Sequence, residues 1–329
     1  MNKLGTKKLD MQALLAPAAL VILYIFFSIF GNNFFTTGTL INILEASYYI
    51  GFMAFGVTFI IITGGIDLSL GTVMMCSALL GGYCFKVLEL PMIVSVLVTL
   101  LTAMAFGFLN GVMIAKLKLP PFIATLGTQM VSMGLGSIIT KVQAQTWPPV
   151  SDPTGGWFKQ VFVRTKLFGA IPIGAVWLFG FFIIAALILH KSKLGRYFYA
   201  IGSNEEAARL SGIDVDKYKI AAYTLSGFFI GMAGLFYAAV YSTITPGTGT
   251  GQEMNGITGV IIGGTSMAGG SGTMVGTLIG VFIMSTLKTG LSACGLQAPW
   301  QTFFTGLVVI GAVLLDIYRT KSANKVKKG

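Results

Sequence analysis

Charge is scarce in this chain of 329 residues: Asp, Glu, Lys and Arg together supply 10%, against 54% for the hydrophobic set. So few charges cannot cover the surface of a water-soluble domain of this size. Histidine occurs once and cysteine three times. His190 stands beside Lys191 at the end of an apolar run, where it suits an interfacial or capping role. Cys76, Cys84 and Cys294 have no CxxC spacing, and an odd number cannot be fully paired within one chain, so they read as free packing residues. Neither a metal centre nor a nucleophile-and-base set can be assembled from this inventory. The phosphate cradle G-x-x-x-x-G-K followed by Ser or Thr is missing, so ATP and Mg are not expected on this chain.

What the chain does have is apolar length. A bilayer core asks for about 20 apolar residues per helix, and such stretches recur from Leu14 to Asp316, giving about ten membrane elements in one all-α polytopic domain. The expected division is a cytoplasmic N-terminal segment at 1–13, a transmembrane domain at 14–318 with a cytoplasmic loop at 191–219, and a basic cytoplasmic tail at 319–329. The first stretch, Leu14 to Phe30, follows Lys3, Lys7 and Lys8 as in a signal peptide, but no small-residue cleavage site comes after it; a retained helix is expected.

The bases outnumber the acids by 22 to 11. They form no dense cluster interleaved with exposed aromatics, so nucleic acid is not the implied partner. Topology accounts for them: helices alternating from a cytoplasmic N-terminus put sixteen of the 22 bases inside, in keeping with the positive-inside rule. Four of the other six, Lys141, Lys159, Arg164 and Lys166, share one outer segment between 141 and 172.

Two apolar runs are interrupted. Thr39 to Thr63 breaks at Gly64-Gly65-Ile66-Asp67-Leu68-Ser69 before resuming through Met74. Asn255 to Ile262 breaks at Gly263-Gly264-Thr265-Ser266-Met267-Ala268-Gly269-Gly270. The breaks share the pattern Gly-Gly-x-x-apolar-x-x-Gly after Ile-rich sequence, which suggests an internal repeat of broken or re-entrant helices. Gly64, Gly65, Gly263 and Gly264 are expected to form the turns, with Asp67 and Ser69 capping the helix that follows. Between them, Pro120-Pro121 opens another helix. On it Thr125, Gln129, Ser132 and Gly136 recur at spacings of four, three and four, a polar-to-small face that lipid would penalise. That face is a candidate translocation pathway, with helix–helix hydrogen bonding as the alternative. Gly107/Gly111, Gly227/Gly231 and Gly272/Gly276/Gly280 form stripes for close helix approach. Glu45 and Glu253 are expected near outer helix ends, in salt bridges or in contact with an external protein.

The longest hydrophilic stretch on the inner side, Lys191 to Lys219, contains Gly202-Ser203-Asn204-Glu205-Glu206-Ala207-Ala208-Arg209-Leu210-Ser211-Gly212. Asn204 or Ser203 can cap a short helix, Glu205 and Glu206 suit its N-terminal dipole, and Gly212 can end it. Glu206-Ala207-Ala208 followed by Gly212 resembles the EAA-x-x-x-G signature of ABC importer permeases, although the later Ile-x-Leu-Pro part is missing. Gly64 to Ser69, Pro121-Phe122-Ile123-Ala124-Thr125-Leu126-Gly127-Thr128, Gly195-Arg196-Tyr197 with Ala200-Ile201-Gly202-Ser203-Asn204, and Ile262-Gly263-Gly264-Thr265-Ser266 together resemble the ribose/galactose/xylose-type permeases, from about residue 15 to 318. The sequence departs at Ser132-Met133-Gly134, where many relatives carry Arg before the Gly, and at Glu253-Met254-Asn255, where Glu-Leu-Asp is usual.

The resemblance implies a multi-pass permease of the bacterial cytoplasmic membrane, both termini inside, importing a ribose-like monosaccharide by alternating access. It implies three protein partners: a second permease copy or paralogue, an ATPase chain with two nucleotide-binding domains that carries the ATP and Mg, and an external solute-binding protein. Gly202, Asn204, Glu205, Glu206, Ala207, Ala208, Ser211 and Gly212 would then couple to the ATPase. A nucleoside or signalling sugar is the alternative cargo. A secondary transporter is the alternative from another class, disfavoured because ionisable residues near the midplane are few.

Overall fold

The computed structural model describes the backbone of residues 11–326 and the side chains of residues 15–318. The expected cytoplasmic segment 1–13 and basic tail 319–329 therefore lie, in whole or in their side chains, outside the described residues. Helices dominate: α1 (Met11–Phe30), α2 (Thr37–Ile62), α3 (Leu70–Lys86), α4 (Met92–Ala115), α5 (Pro121–Ile139), α6 (Trp157–Lys159), α7 (Ile173–Lys191), α8 (Lys193–Ser203), α9 (Glu205–Leu210), α10 (Val215–Tyr241), α11 (Gln252–Ile262), α12 (Met274–Ala293) and α13 (Ala298–Val326). Seven of them, α2, α4, α5, α7, α10, α12 and α13, are long and apolar enough to cross a membrane, and Leu15–Phe30 and Leu70–Lys86 are shorter apolar helices. The chain is thus an all-α membrane protein, with seven full-length spans among the described residues where the sequence suggests about ten.

Local chemistry sets the helix ends. Thr36, Ser192, Asn204, Asp214 and Thr273 each accept a backbone N–H from the first turn of the helix they precede, and Pro121 occupies the first turn of α5, where its missing N–H costs nothing. α2 is buried along nearly its whole length and forms the centre. α10 packs chiefly against α4 and α2. The glycine stripes make the first of these crossings possible: a Cβ at Gly111 would fall 2.8 Å from Ile220 Cα, and one at Gly231 would fall 2.9 Å from Leu100 Cα. α11 and α12 approach in the same way, Gly259 facing Gly280 and Gly263 facing Gly276, whereas Gly272 precedes α12 and lies against Thr265. Across α2 and α12 the hydroxyls of Thr58 and Thr277 are 2.9 Å apart.

The segment between α5 and α7 folds back as a cover. Its strand β1 (Gln145–Thr146) pairs antiparallel with β4 (Thr243–Ile244), and β2 (Lys166–Leu167) with β3 (Ile171–Pro172). Trp147 anchors the cover, fully buried, packing at a tilt on Phe158 and donating its indole N–H to the Ala78 carbonyl at 3.1 Å. Lys159 donates to the Ser242 hydroxyl at 2.6 Å. Burial pulls its ammonium pKa below the ordinary lysine value, and the Arg164 charge adds to this.

Candidate functional site

The two glycine breaks have the same backbone. After α2, Gly64 N–H bonds to the Ile61 carbonyl and Gly65 N–H to that of Ile60; after α11, Gly264 N–H bonds to Ile261 and Thr265 N–H to Val260. Gly64 and Gly264 are both left-handed, with φ of 78° and 94°. These are paired Schellman endings, in which the left-handed residue lets the last two carbonyls be satisfied. Each Gly-Gly pair thus lies in a helix stop, although the left-handed residue is the first glycine of one pair and the second of the other. Beyond it the breaks diverge: the first returns to helix at Leu70, the second at Met274.

In the first break Asp67 accepts the Ser69 N–H at 2.8 Å and the Ser69 hydroxyl at 2.6 Å. Asn110 of α4, which the sequence reading did not single out, reaches both Asp67 (3.4 Å) and Ser69 (3.1 Å) and receives the Thr128 hydroxyl of α5. Ser132 donates to Thr72 of α3 at 2.9 Å, and Thr125 turns back to the Pro121 carbonyl. Thr125 and Ser132 are buried and Gln129 is half-buried. A single polar seam thus joins the first break, α3, α4 and α5. Asn110 looked like one polar residue in an apolar run, a signal that intramembrane polarity could have supplied.

The hydrophilic stretch folds as two helices joined at Asn204. The Asn204 side chain accepts the Ala207 N–H at 2.9 Å, and the stop again has the Schellman pattern, Gly212 N–H to Arg209 and Ile213 N–H to Ala208, with Gly212 at φ 81°. α9 divides its small residues between two faces. Ala208 is buried with Ile201 and Val215, while Ala207 is exposed and Leu210 is 85% exposed. Glu205, Glu206 and Ser211 are also exposed. Arg209 and Lys118 bond Asp216 at 3.1 Å and 2.8 Å, and Lys219 bonds Glu205 at 2.6 Å, tying α9 to α10 and to the α4–α5 turn.

Immediately before α9 the chain meets both breaks. Gly270 N–H donates to the Ile62 carbonyl at 2.9 Å. Gly202 lies so close to this bond that an added Cβ would collide with Ile62 O and would fall 2.5 Å from Gly270 N. Tyr199 donates to the Gly272 carbonyl at 2.6 Å. Three motifs that are far apart in sequence therefore share one junction.

At the other end of the helices, a cavity of about 640 Å³ opens between α11, α12 and α13, lined by Gln252, Asn255, Lys288, Gln301, Thr302 and Thr305 among others. Lys288 donates to the Tyr49 hydroxyl at 2.6 Å. Its ammonium lies 5.0 Å and 5.8 Å from the Tyr49 and Tyr241 ring centres. Of the two glutamates expected in outer contacts, Glu45 lines an adjoining pocket. Glu253 is buried instead, with both carboxylate oxygens on the Gly251 N–H and close to Gly71. Among the described residues neither glutamate forms an ion pair.

Comparison with known proteins agrees with this plan. The chain is 38% identical over 308 residues to the ribose import permease protein RbsC of Escherichia coli K12, covering 91% of each chain. It is likewise 38% identical over 314 residues to RbsC of Bacillus subtilis, covering 95% of this chain and 94% of the relative. The autoinducer 2 import system permease protein LsrC of Photorhabdus luminescens is 31% identical over 309 residues, covering 92% of this chain and 88% of that one. A family model described as the permease component of branched-chain amino acid transport systems matches residues 39–313, so the paired helix stops, the polar seam and the short helix beside them fall almost wholly within it and the chain belongs to that permease family.

Proposed function

We propose that this chain is the membrane-spanning subunit of an ATP-driven importer for a ribose-like monosaccharide. It works as a dimer with a second copy or paralogue, receives solute from an external binding protein, and is driven by a separate ATPase chain that holds ATP and Mg. The full set of crossings is ten, α1, α3 and α11 joining the seven long spans, with both termini and α9 on the cytoplasmic side. The 38% identity to ribose import permeases, against 31% to an autoinducer 2 permease, favours the simple sugar as cargo.

The observation that carries the reading is the construction of α9. A short helix turned toward water has no use for an alanine and a fully projecting leucine on its outer face, whereas a protein partner buries both. Ala207 and Leu210 occupy that outer face, and Ala208 fixes the inner one. The ATPase groove closes on this face, and its movement passes through Gly202 to the two helix stops. The residues of α5, Thr125, Gln129 and Ser132, line the route that opens when α3 and α5 separate.

The test is Ala207→Trp in complexes reconstituted with the ATPase and binding protein. The ring projects outward in the free chain, so insertion and dimerisation are unaffected. At a packed interface it costs about 1–3 kcal/mol, and uptake is lost while basal ATP hydrolysis continues. Wild-type uptake by a correctly inserted variant overturns the assignment of α9.

A further inference from the structure

Among the described residues, Lys288 is the single charged side chain on the wall of the 640 Å³ cavity between α11, α12 and α13. A cation placed within a transmembrane helix costs free energy wherever no counter-charge or water reaches it, so such residues mark functional sites by default. The bland explanation is snorkelling, in which the lysine stem lies on lipid and the ammonium reaches for the interface. The geometry is against it. The ammonium points toward α2, on the Tyr49 hydroxyl and over two tyrosine rings, and the same side chain borders the cavity. No carboxylate lies within ion-pair distance of it among the described residues. Glu45 lines the neighbouring pocket, which shares Lys288 and Gln301 with this one, and is not part of this wall.

An ammonium has three donors, and one is used on Tyr49. The rest of the wall is uncharged: the amides of Gln252, Asn255 and Gln301 and the hydroxyls of Thr302 and Thr305 share it with the apolar Met254, Ala298, Val309 and Ile310. Amide and hydroxyl groups match a polyol, and one unpaired ammonium among them matches a single anionic group on that polyol. The charge-assisted bond to such a group is about twice as strong as a neutral one. We infer that this cavity is a solute-binding site selective for a small polyhydroxylated anion, with the carboxylate or phosphate on Lys288 and the hydroxyls on Gln252, Asn255 and Gln301. This rests on the chain being a permease for a ribose-like monosaccharide and makes that monosaccharide an acidic one, an aldonate or sugar phosphate, in place of the neutral sugar.

The experiment reads the cavity directly, so that the external binding protein's own selectivity does not enter. In the full-length permease in nanodiscs, with Cys76, Cys84 and Cys294 replaced, Thr302→Cys, an exposed position on the cavity wall, is labelled with neutral N-ethylmaleimide over the same concentration series of ribose, ribonate or ribose 5-phosphate. Ribonate, ribose 5-phosphate or both protect the cysteine at about tenfold lower concentration than ribose, the size of one charge-assisted hydrogen bond. Lys288→Met abolishes the preference and Lys288→Arg keeps it. Protection by ribonate alone assigns the anion as a carboxylate, and protection by the phosphate alone assigns a phosphoryl group. Equal protection by all three, protection by none, or a preference that survives Lys288→Met overturns the inference. Failure of the importer reading itself appears elsewhere, as absence of ATP-dependent uptake of every solute by the wild-type complex.

Discussion

At the scale of single residues, the glycines separate into two kinds with opposite tests. Gly202 has an ordinary backbone conformation and is required for space, because its α-carbon faces the Ile62 carbonyl and the Gly270 N–H. Backbone atoms cannot swing aside, so Gly202→Ala forces the junction apart and costs about 2 kcal/mol, within the range for overpacking. Gly212 is the reverse: nothing lies within 4 Å of an added Cβ, but its φ is 81°. Gly212→Ala therefore costs about 1 kcal/mol through the left-handed backbone alone. Thermal unfolding of the purified chain should rank the two, Gly202→Ala well below Gly212→Ala, and the opposite order means that the junction is loose enough to yield. The helix-ending role of Gly212 was legible in the sequence because a cap, a polar helix and a glycine occur together. The role of Gly202 was not legible in the same way, since its partners lie 140 and 68 residues away and nothing local marks a steric need.

At the scale of elements, α5 is where sequence and structure divide the polar residues differently. Spacing alone puts Thr125, Gln129 and Ser132 on one face, and they are on one face, but the structure gives that face neighbours: Ser132 bonds Thr72 and the adjoining Thr128 bonds Asn110. Hydrogen bonds between membrane helices are worth about 0.6 kcal/mol each, weak enough to break and re-form when helices move. Ser132→Leu removes one and adds bulk in a fully buried position, and Gln129→Leu removes an amide that is only half covered. Uptake by the reconstituted complex should fall in both, more steeply for Ser132→Leu, while co-purification with the ATPase is kept. Normal uptake in both variants ends the pathway role of this face, and loss of the complex in both makes it a packing surface. The breaks were better signposted. Their Gly-Gly pattern alone pointed to turns, because a left-handed residue at a helix end is a local requirement. Which helices those turns would touch is a long-range matter on which the pattern is silent.

At the scale of the whole molecule, contacts sort the helix ends into two layers without reference to any membrane. One layer joins the ends of α2, α8 and α11 through Ile62, Gly202 and Gly270, the end of α4 to the start of α10 through Lys118 and Asp216, and the end of α13 to the second break through Asp316 and Met267. The other joins α1 to the end of α12 through the Asn32–Ala293 bond, and the α5–α7 cover to the end of α10 through β1 and β4. This grouping agrees with the alternation expected from apolar runs, including the crossing by the short α3. Charge alone is less decisive. Of the fourteen Lys and Arg residues between 15 and 318, eight lie with the first layer and six with the second, and the wider margin of sixteen to six comes from bases in the two terminal segments. Even so, the first layer carries α9, which under the proposed coupling to an ATPase faces the cytoplasm. Ser203 and Ser151 are both exposed, one in each layer, so single cysteines there report sidedness without disturbing packing. With the native cysteines replaced, an impermeant maleimide should label Ser151→Cys in intact cells and leave Ser203→Cys unlabelled until the cells are opened. Labelling of Ser203→Cys in intact cells inverts the whole assembly and removes α9 from reach of an ATPase. Absence of labelling at Ser151→Cys in intact cells, with Ser203→Cys also protected, puts both positions on one side and makes the number of crossings between them even, so that α7, the one long apolar helix between them, does not span.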